Sequence, residues 1–340
     1  METITIREVA KACGVGVSTV SRAINNHPNI SDEKKALILR KIEELGYVPN
    51  NSARNLKRSG GKAIAVLVKG MTNPFFNVMI KIMEAEIIAN GYTMVLQHVD
   101  PSEDEADVAI ELAKEKKLCG IIFLGGIFAR TGRSLNNIHI PYVISTVGSP
   151  IKGISKADYS SVSVDDEIEG EKVTSFLLAR GRKRIAIFAG AHNDTSVGML
   201  RLSGYKRALK NAGIEFDEEL VLYLPDENEE YSYENGYAAA KRLLNKHIEF
   251  DAIFAVADVM AVGALRALNE EKINVPKEVA VIGFDGIELT GYTNPALSTL
   301  AQPIEEMAYE TSSLLLNVLD GSGEHRHSVF EGRIIERETT

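Results

Sequence analysis

Thr5-Ile6-Arg7-Glu8-Val9-Ala10-Lys11-Ala12-Cys13-Gly14-Val15-Gly16-Val17-Ser18-Thr19-Val20-Ser21-Arg22-Ala23-Ile24-Asn25 reads as two short helices separated by a glycine-bounded turn. Thr5 and Glu8 have the spacing of a capping box, which starts the first helix. Ile6, Val9, Ala10 and Cys13 then share one helical face. Gly14-Val15-Gly16 forces a tight turn. The second helix runs from Val17 to Asn25 with Val20 and Ile24 inward, and Asn25-Asn26-His27-Pro28 ends it. Ser31 caps a third helix, whose Asp32 and Glu33 suit the positive end of its dipole. Its inner stripe is Ile38, Ile42 and Leu45, and Gly46 stops it.

Helix, tight turn, helix is the helix-turn-helix arrangement, in which the start of the second helix meets base edges in the major groove. Val17, Ser18 and Arg22 are placed to read bases, and Thr19, Ser21 and Asn25 to hold phosphates. A three-helix bundle that binds protein would show the same pattern, so the charge distribution matters. Residues 1–62 carry eleven Lys/Arg against six Asp/Glu, a balance of +5 within a chain whose total is −9. A small basic head on a large acidic remainder favours an anionic partner for the head alone.

Beyond the head, residues 47–61 are polar and basic, with a short helix expected over 51–58 and a Gly-Gly joint after it. This stretch has too few apolar residues to fold alone, so it is expected to be a linker or to fold on binding. From Lys62 apolar strands alternate with amphipathic helices: Ala63–Val68, Thr93–Gln97, Gly120–Leu124, Tyr142–Thr146, Ile185–Ala189, Ala252–Ala257 and Val279–Phe284. Repeated βα units imply parallel sheets with helices on both faces. Two sets appear, 62–161 and 162–290. The tail 291–340 adds one strand, a helix over Ile304–Leu319 and a last extended segment. Glycines at strand C-termini, among them Gly125-Gly126, Gly190 and Gly286, sit where such sheets bind ligands.

Several classes are disfavoured. Met1-Glu2-Thr3-Ile4-Thr5 is not a secretory leader, and no apolar run spans a bilayer, so a cytoplasmic location with no membrane partner is expected. Two separated cysteines, Cys13 and Cys119, form no disulfide framework. There is no Gly-x-Gly-x-x-Gly, Walker loop or His-Glu-x-x-His, so no enzyme activity, cofactor or catalytic residue is expected. His325 and His327 read as solvated surface rather than metal ligands, and the acids at 165–169 as a helix start.

The quoted head stretch, Leu45-Gly46-Tyr47-Val48-Pro49-Asn50 and Ala53-Arg54-Asn55-Leu56 resemble the lactose-repressor family of bacterial transcription regulators. The likeness continues through Asn73-Pro74-Phe75-Phe76, Arg201–Tyr205, Met260–Leu265, Ile282–Asp285 and Pro295–Pro303, in order over essentially the whole chain. Gly16 departs from the Ser usual in that family.

The resemblance implies three parts: a helix-turn-helix domain (1–48), a hinge helix (49–61) and a periplasmic-binding-protein-like effector and dimerisation domain (62–340). The last divides into an N-subdomain of about 62–161 plus 291–322 and a C-subdomain of about 162–290 plus 323–340. It implies DNA contacts from Thr5, Ser31, Tyr47, Asn50, Ala53, Arg54 and Lys57 beside those named above, with Leu56 wedged between base pairs. It implies an effector cleft lined by Asn73, Phe75, Phe76, Thr146, Arg201, Tyr231, Ala257, Asp258, Asp285 and Gln302. Thr146-Val147 and Ala257 depart from the polar residues common in pentose-binding members.

The expected function is a homodimeric repressor on a pseudo-palindromic operator, controlled by a sugar or sugar phosphate. A purine-type co-repressor and a solute-binding role are the alternatives. A phosphocarrier-protein co-regulator is left open, with no feature requiring it.

Overall fold

The computed structural model describes residues 4–24, 30–47, 62–100, 102–128, 132–148, 150–192, 197–225 and 231–340. The chain divides into two compact units, Met1–Gly60 and Gly61–Thr340.

The first unit contains helices Ile6–Ala12, Val17–Ile24 and Asp32–Leu45. Glu8 accepts hydrogen bonds from the backbone N–H (2.6 Å) and hydroxyl (2.9 Å) of Thr5, which fixes the first helix start. Gly46 ends the third helix in the left-handed conformation (φ 63°), where a Cβ would be strained. Val9, Ala10, Val20, Ala23 and Ile38 are buried, with Cys13, Ile42, Leu45 and Tyr47 packed around them. Every helix therefore contributes to one small core.

The second unit holds two parallel-dominated sheets. Strands β1 (Ala63–Lys69), β2 (Thr93–Val99), β3 (Leu118–Leu124), β4 (Tyr142–Ser145) and β5 (Ser160–Val164) build the first. Strands β6 (Ile185–Ala191), β7 (Val221–Leu224), β8 (Ala252–Ala255), β9 (Ala280–Asp285) and β10 (Ser298–Ala301) build the second. The tail adds β11 (His327–Phe330) and β12 (Arg333–Ile335). The orders are β11-β5-β4-β3-β1-β2 and β12-β10-β9-β8-β6-β7. Among the described residues all strand pairings are parallel except β10 with β12. Most central strands are Val, Ile, Leu, Ala and Phe buried on both faces, as helix-covered parallel strands must be.

The tail departs from the sequence expectation. Residues 298–301, assigned from the sequence to the first lobe, pair with β9 in the second. Residues 327–330, assigned to the second lobe, pair with β5 in the first. The chain thus crosses between lobes after β5, after β10 and after β11. Short apolar runs carry no information about which of two like sheets they extend, so periodicity could not separate these strands. The same weakness hid β5, whose Ser160, Ser161 and Ser163 mask a strand that is buried throughout.

In each sheet the strand order reverses once, between β1 and β3 and between β6 and β8. The crevice at such a reversal, beyond the strand C-termini, is where doubly wound sheets hold ligands.

Candidate functional site: a polar cleft between the lobes

Asn73 caps the helix Pro74–Ala89, accepting from the Phe75 N–H at 3.1 Å. That cap, just past β1, turns the Asn73 amide toward the second lobe, where its Nδ2 donates to Asp285 Oδ2 at 2.9 Å. Asp285 ends β9 with φ 120°, a strained conformation for a residue with a Cβ. Its other oxygen accepts from Gln302 Nε2 at 2.9 Å. Gln302 lies at the second crossing between the lobes, immediately after β10.

Arg201 belongs to the helix Val197–Asn211 and is only 4% exposed, where a solvated helix residue would be the default. Its guanidinium lies 3.5 Å over the Phe284 ring. Nε and Nη2 both approach Asp166 Oδ1, at 2.9 and 2.8 Å. Nη1 donates to the Val256 carbonyl at the end of β8 and stands 3.9 Å from Asp285 Oδ1. Asp166 opens the helix Asp166–Ala179 at the first crossing. Asn73, Asp166, Arg201, Asp285 and Gln302 therefore form one buried polar cluster at the junction of the sheets.

Burial is the main influence on the carboxyls. It raises Asp166 to about 6, against the opposing pull of Arg201. Burial also raises Asp285, with Arg201, Asn73 and Gln302 opposing. Asp258 is raised well above the usual carboxylate range by burial and by the neighbouring Asp285.

The other sequence-nominated residues separate into distinct groups. Phe76 is half-buried and lies at the β1 and β3 ends, against Gly70 and Gly125. Thr146, with φ 71°, accepts from the Gly125 N–H at 3.2 Å in the same corner. Tyr231 is half-buried, and its hydroxyl lies where a Cβ on Gly198 would sit. Phe75 continues the buried stripe Phe75, Met79, Met83 and Ile87, and it also lines a cavity with Gly286, Ile287 and Tyr292. The Asp258 carboxylate is fully buried, accepting from Gly286 N–H (2.7 Å), Ile287 N–H (2.9 Å) and Thr299 Oγ1 (2.6 Å). It holds the turn that follows Asp285. Ala257 is buried at the cap position of the helix Asp258–Glu270.

Sequence reasoning missed Asp166. Its acidic neighbours suggested helix-dipole stabilisation, which does describe Asp165, whose Oδ1 caps at 3.1 Å from Ile168 N–H. The available signal was that Asp166 follows a strand end, the position from which such sheets serve ligands. His325 and His327, read as solvated, instead contact Ser160 (3.1 Å) and Ser161 (2.9 Å) and stitch the tail to β5.

On the head, Thr5, Val17, Arg22 and Ser31 are exposed and Thr19 is half-buried. Tyr47 packs on the head core, so at most part of it is available to DNA. Asn25, Asn50, Ala53, Arg54, Leu56 and Lys57 lie outside the described residues, as do the side chains of Ser18 and Ser21. Among the described residues, no helix is long and apolar enough to cross a membrane, and no His, Cys, Asp and Glu cluster could hold a metal ion.

A helix-turn-helix head joined in one chain to a two-lobed α/β unit with a buried polar cluster at the strand ends is the arrangement of a transcription regulator. Residues 5–50 match the family described as bacterial regulatory proteins, lacI family, and residues 174–340 match the periplasmic binding protein-like domain. The chain is 38% identical to the HTH-type transcriptional regulator MalR of Clostridium butyricum, over 99% of each. It is 30% identical to the ribose operon repressor of Escherichia coli strain K12, over 92% of each. The solved complex of the transcriptional regulator CelR with cellobiose is 30% identical and superposes with a TM-score of 0.72, covering 99% of this chain and 100% of that one. The chain belongs to the lacI family of bacterial transcription regulators.

Proposed function

We propose that this chain is a cytoplasmic, homodimeric repressor whose hold on a pseudo-palindromic operator is set by a sugar bound between the two lobes. The observation that carries the proposal is the convergence of Asn73, Arg201 and Gln302 on Asp285 at the strand ends. Directional donors and acceptors ringed by aromatic faces match a sugar, whose hydroxyls radiate while its C–H faces stack. Phe76 and Tyr231 are the proposed stacking faces. The cellobiose bound by the CelR relative and the ribose operon controlled by another support this choice of ligand class.

On the DNA side, Val17, Ser18 and Arg22 are the proposed base readers. Thr5, Thr19, Ser21, Asn25, Ser31 and Tyr47 are the proposed backbone contacts. Residues 49–61 are the proposed hinge, with Asn50, Ala53, Arg54 and Lys57 on DNA and Leu56 as a wedge. A ligand that prefers one arrangement of the lobes would shift the population of the DNA-binding state. Thermal-shift screening against ribose, glucose, maltose and cellobiose, followed by a band-shift assay with the best stabiliser, tests the reading. Stabilisation together with altered operator binding is expected. A ligand that stabilises the protein yet leaves operator binding untouched refutes effector control.

A further inference from the structure

We infer that the cleft accepts a neutral, hydroxyl-rich ligand and rejects its phosphorylated or carboxylated counterpart. The inference rests on the effector-site reading above and narrows it.

Charge is the first argument. Asp166 and Asp285, at 2% and 3% exposure, flank one guanidinium, with the equally buried Asp258 behind them. Arg201 is already engaged: Nε and Nη2 meet Asp166, Nη1 meets the Val256 carbonyl, and Phe284 covers one face. Lys69, at the C-terminal end of β1, is paired as well, with Glu105 at 3.3 Å and the Glu103 carbonyl at 2.9 Å. An entering phosphomonoester, with a charge near −1.5 to −2, would meet buried carboxylates and cations that are already neutralised.

Hydrogen-bond inventory is the second. Both Arg201 contacts to Asp166 fall on Oδ1, and the fully buried Oδ2 has no hydrogen-bond partner among the described residues. Asp285 takes one amide on each oxygen and retains lone pairs. This cluster has acceptors in excess of donors. A buried acceptor without a donor is unfavourable, so the complementary ligand is one that donates. Sugar hydroxyls donate and carry no charge. Phosphate and carboxylate oxygens would add acceptors where donors are lacking. The raised carboxyls of Asp166 and Asp285 point the same way, since the pocket already disfavours negative charge.

The test is calorimetric titration of the full chain at pH 7.5 with matched pairs: ribose and ribose 5-phosphate, glucose and glucose 6-phosphate, cellobiose and cellobiose 6-phosphate. The neutral member of at least one pair should bind, and its phosphorylated partner should bind at least about a hundredfold more weakly, the scale of a like-charge juxtaposition. Asp166→Asn replaces half the acceptor by a donor. It should weaken the neutral sugar about tenfold and narrow the gap to its phosphate. The paired comparison needs no variant and stands even if Asp166→Asn does not fold. A phosphorylated sugar that binds as tightly as its neutral partner, or tighter, overturns the inference and leaves the sugar site intact. Unchanged affinity and selectivity in a folded Asp166→Asn also overturns it. Silence from every pair removes the sugar site and this inference together.

Discussion

The side-chain amide of Asn73 donates to Asp285 Oδ2 across 2.9 Å, tying the first helix of one lobe to the end of strand β9 in the other. The two residues are 212 positions apart in sequence. A ligand entering between the lobes must share this bond or replace it, which makes it a natural point of coupling between occupancy and lobe geometry.

Asn73→Ala removes a buried hydrogen bond to an ionisable acceptor together with a helix cap. The expected loss of stability is about 2 kcal/mol, read as a lower urea midpoint. Asn73→Asp keeps a good cap but sets a carboxylate against Asp285. It should cost more than the alanine and enlarge the radius of gyration in solution scattering. An unchanged midpoint in both variants would contradict the bridging role.

Gly170 and Gly204 let the helices Asp166–Ala179 and Val197–Asn211 touch, and these helices carry Asp166 and Arg201. A Cβ on Gly170 would overlap the backbone of Arg201, and one on Gly204 the backbone of Glu167. Gly170→Ala should therefore destabilise the chain by about 1–3 kcal/mol and weaken effector binding by displacing Arg201 from Asp166. Wild-type melting and wild-type calorimetry in that variant would show that the helices have slack.

The pH dependence follows from Asp166. Its native carboxyl is raised from 3.8 to about 6, chiefly by burial. Between those values the native state holds a proton that the unfolded chain has lost. The contribution of this group to stability therefore falls as pH rises from about 4 to about 6 and is flat above. Asp258 and Asp285, also raised, act in the same direction. Urea titrations from pH 4.5 to 7 should show a shallower slope for Asp166→Asn than for wild type. Equal slopes would place the proton elsewhere.

Arg22 is exposed on the Val17–Ile24 helix, three residues after the half-buried Thr19. Arg22→Ala should cost about 1–3 kcal/mol on the operator and relax discrimination between sequences. Fluorescence anisotropy with operator and scrambled duplexes measures both. Equal losses on the two duplexes would reassign Arg22 to the phosphate backbone.

What was legible in the sequence depended on periodicity and caps. The Thr5–Glu8 box, Ser31, Gly46 and the Ile304–Leu319 helix all lie where the residues predict them. Six of the seven apolar strands were readable because both faces are buried, and the edge strand β2 from its apolar run alone. β5 was not, because serines interrupt its apolar run, nor was the four-residue β7, and the sheets that the tail strands join were not, because sheet membership is a long-range property. At the site, Arg201 and Asp285 were nominated by resemblance rather than by any local pattern. Phe75 and Asp258 were nominated the same way, and both are buried. Asp166 was overlooked because three neighbouring acids offered a simpler explanation.

The central claim is that occupancy of the cleft sets operator affinity. The measurement that tests it most directly is anisotropy titration of an operator duplex with and without the sugar that most stabilises the protein, for wild type and Asp285→Asn. Wild type should change operator affinity by about 5–150-fold on adding saturating sugar, the usual range of coupling between two sites. Asp285→Asn should bind operator without sugar and lose the response. A sugar that binds wild type without moving operator affinity, or an Asp285→Asn response equal to wild type, would contradict the account.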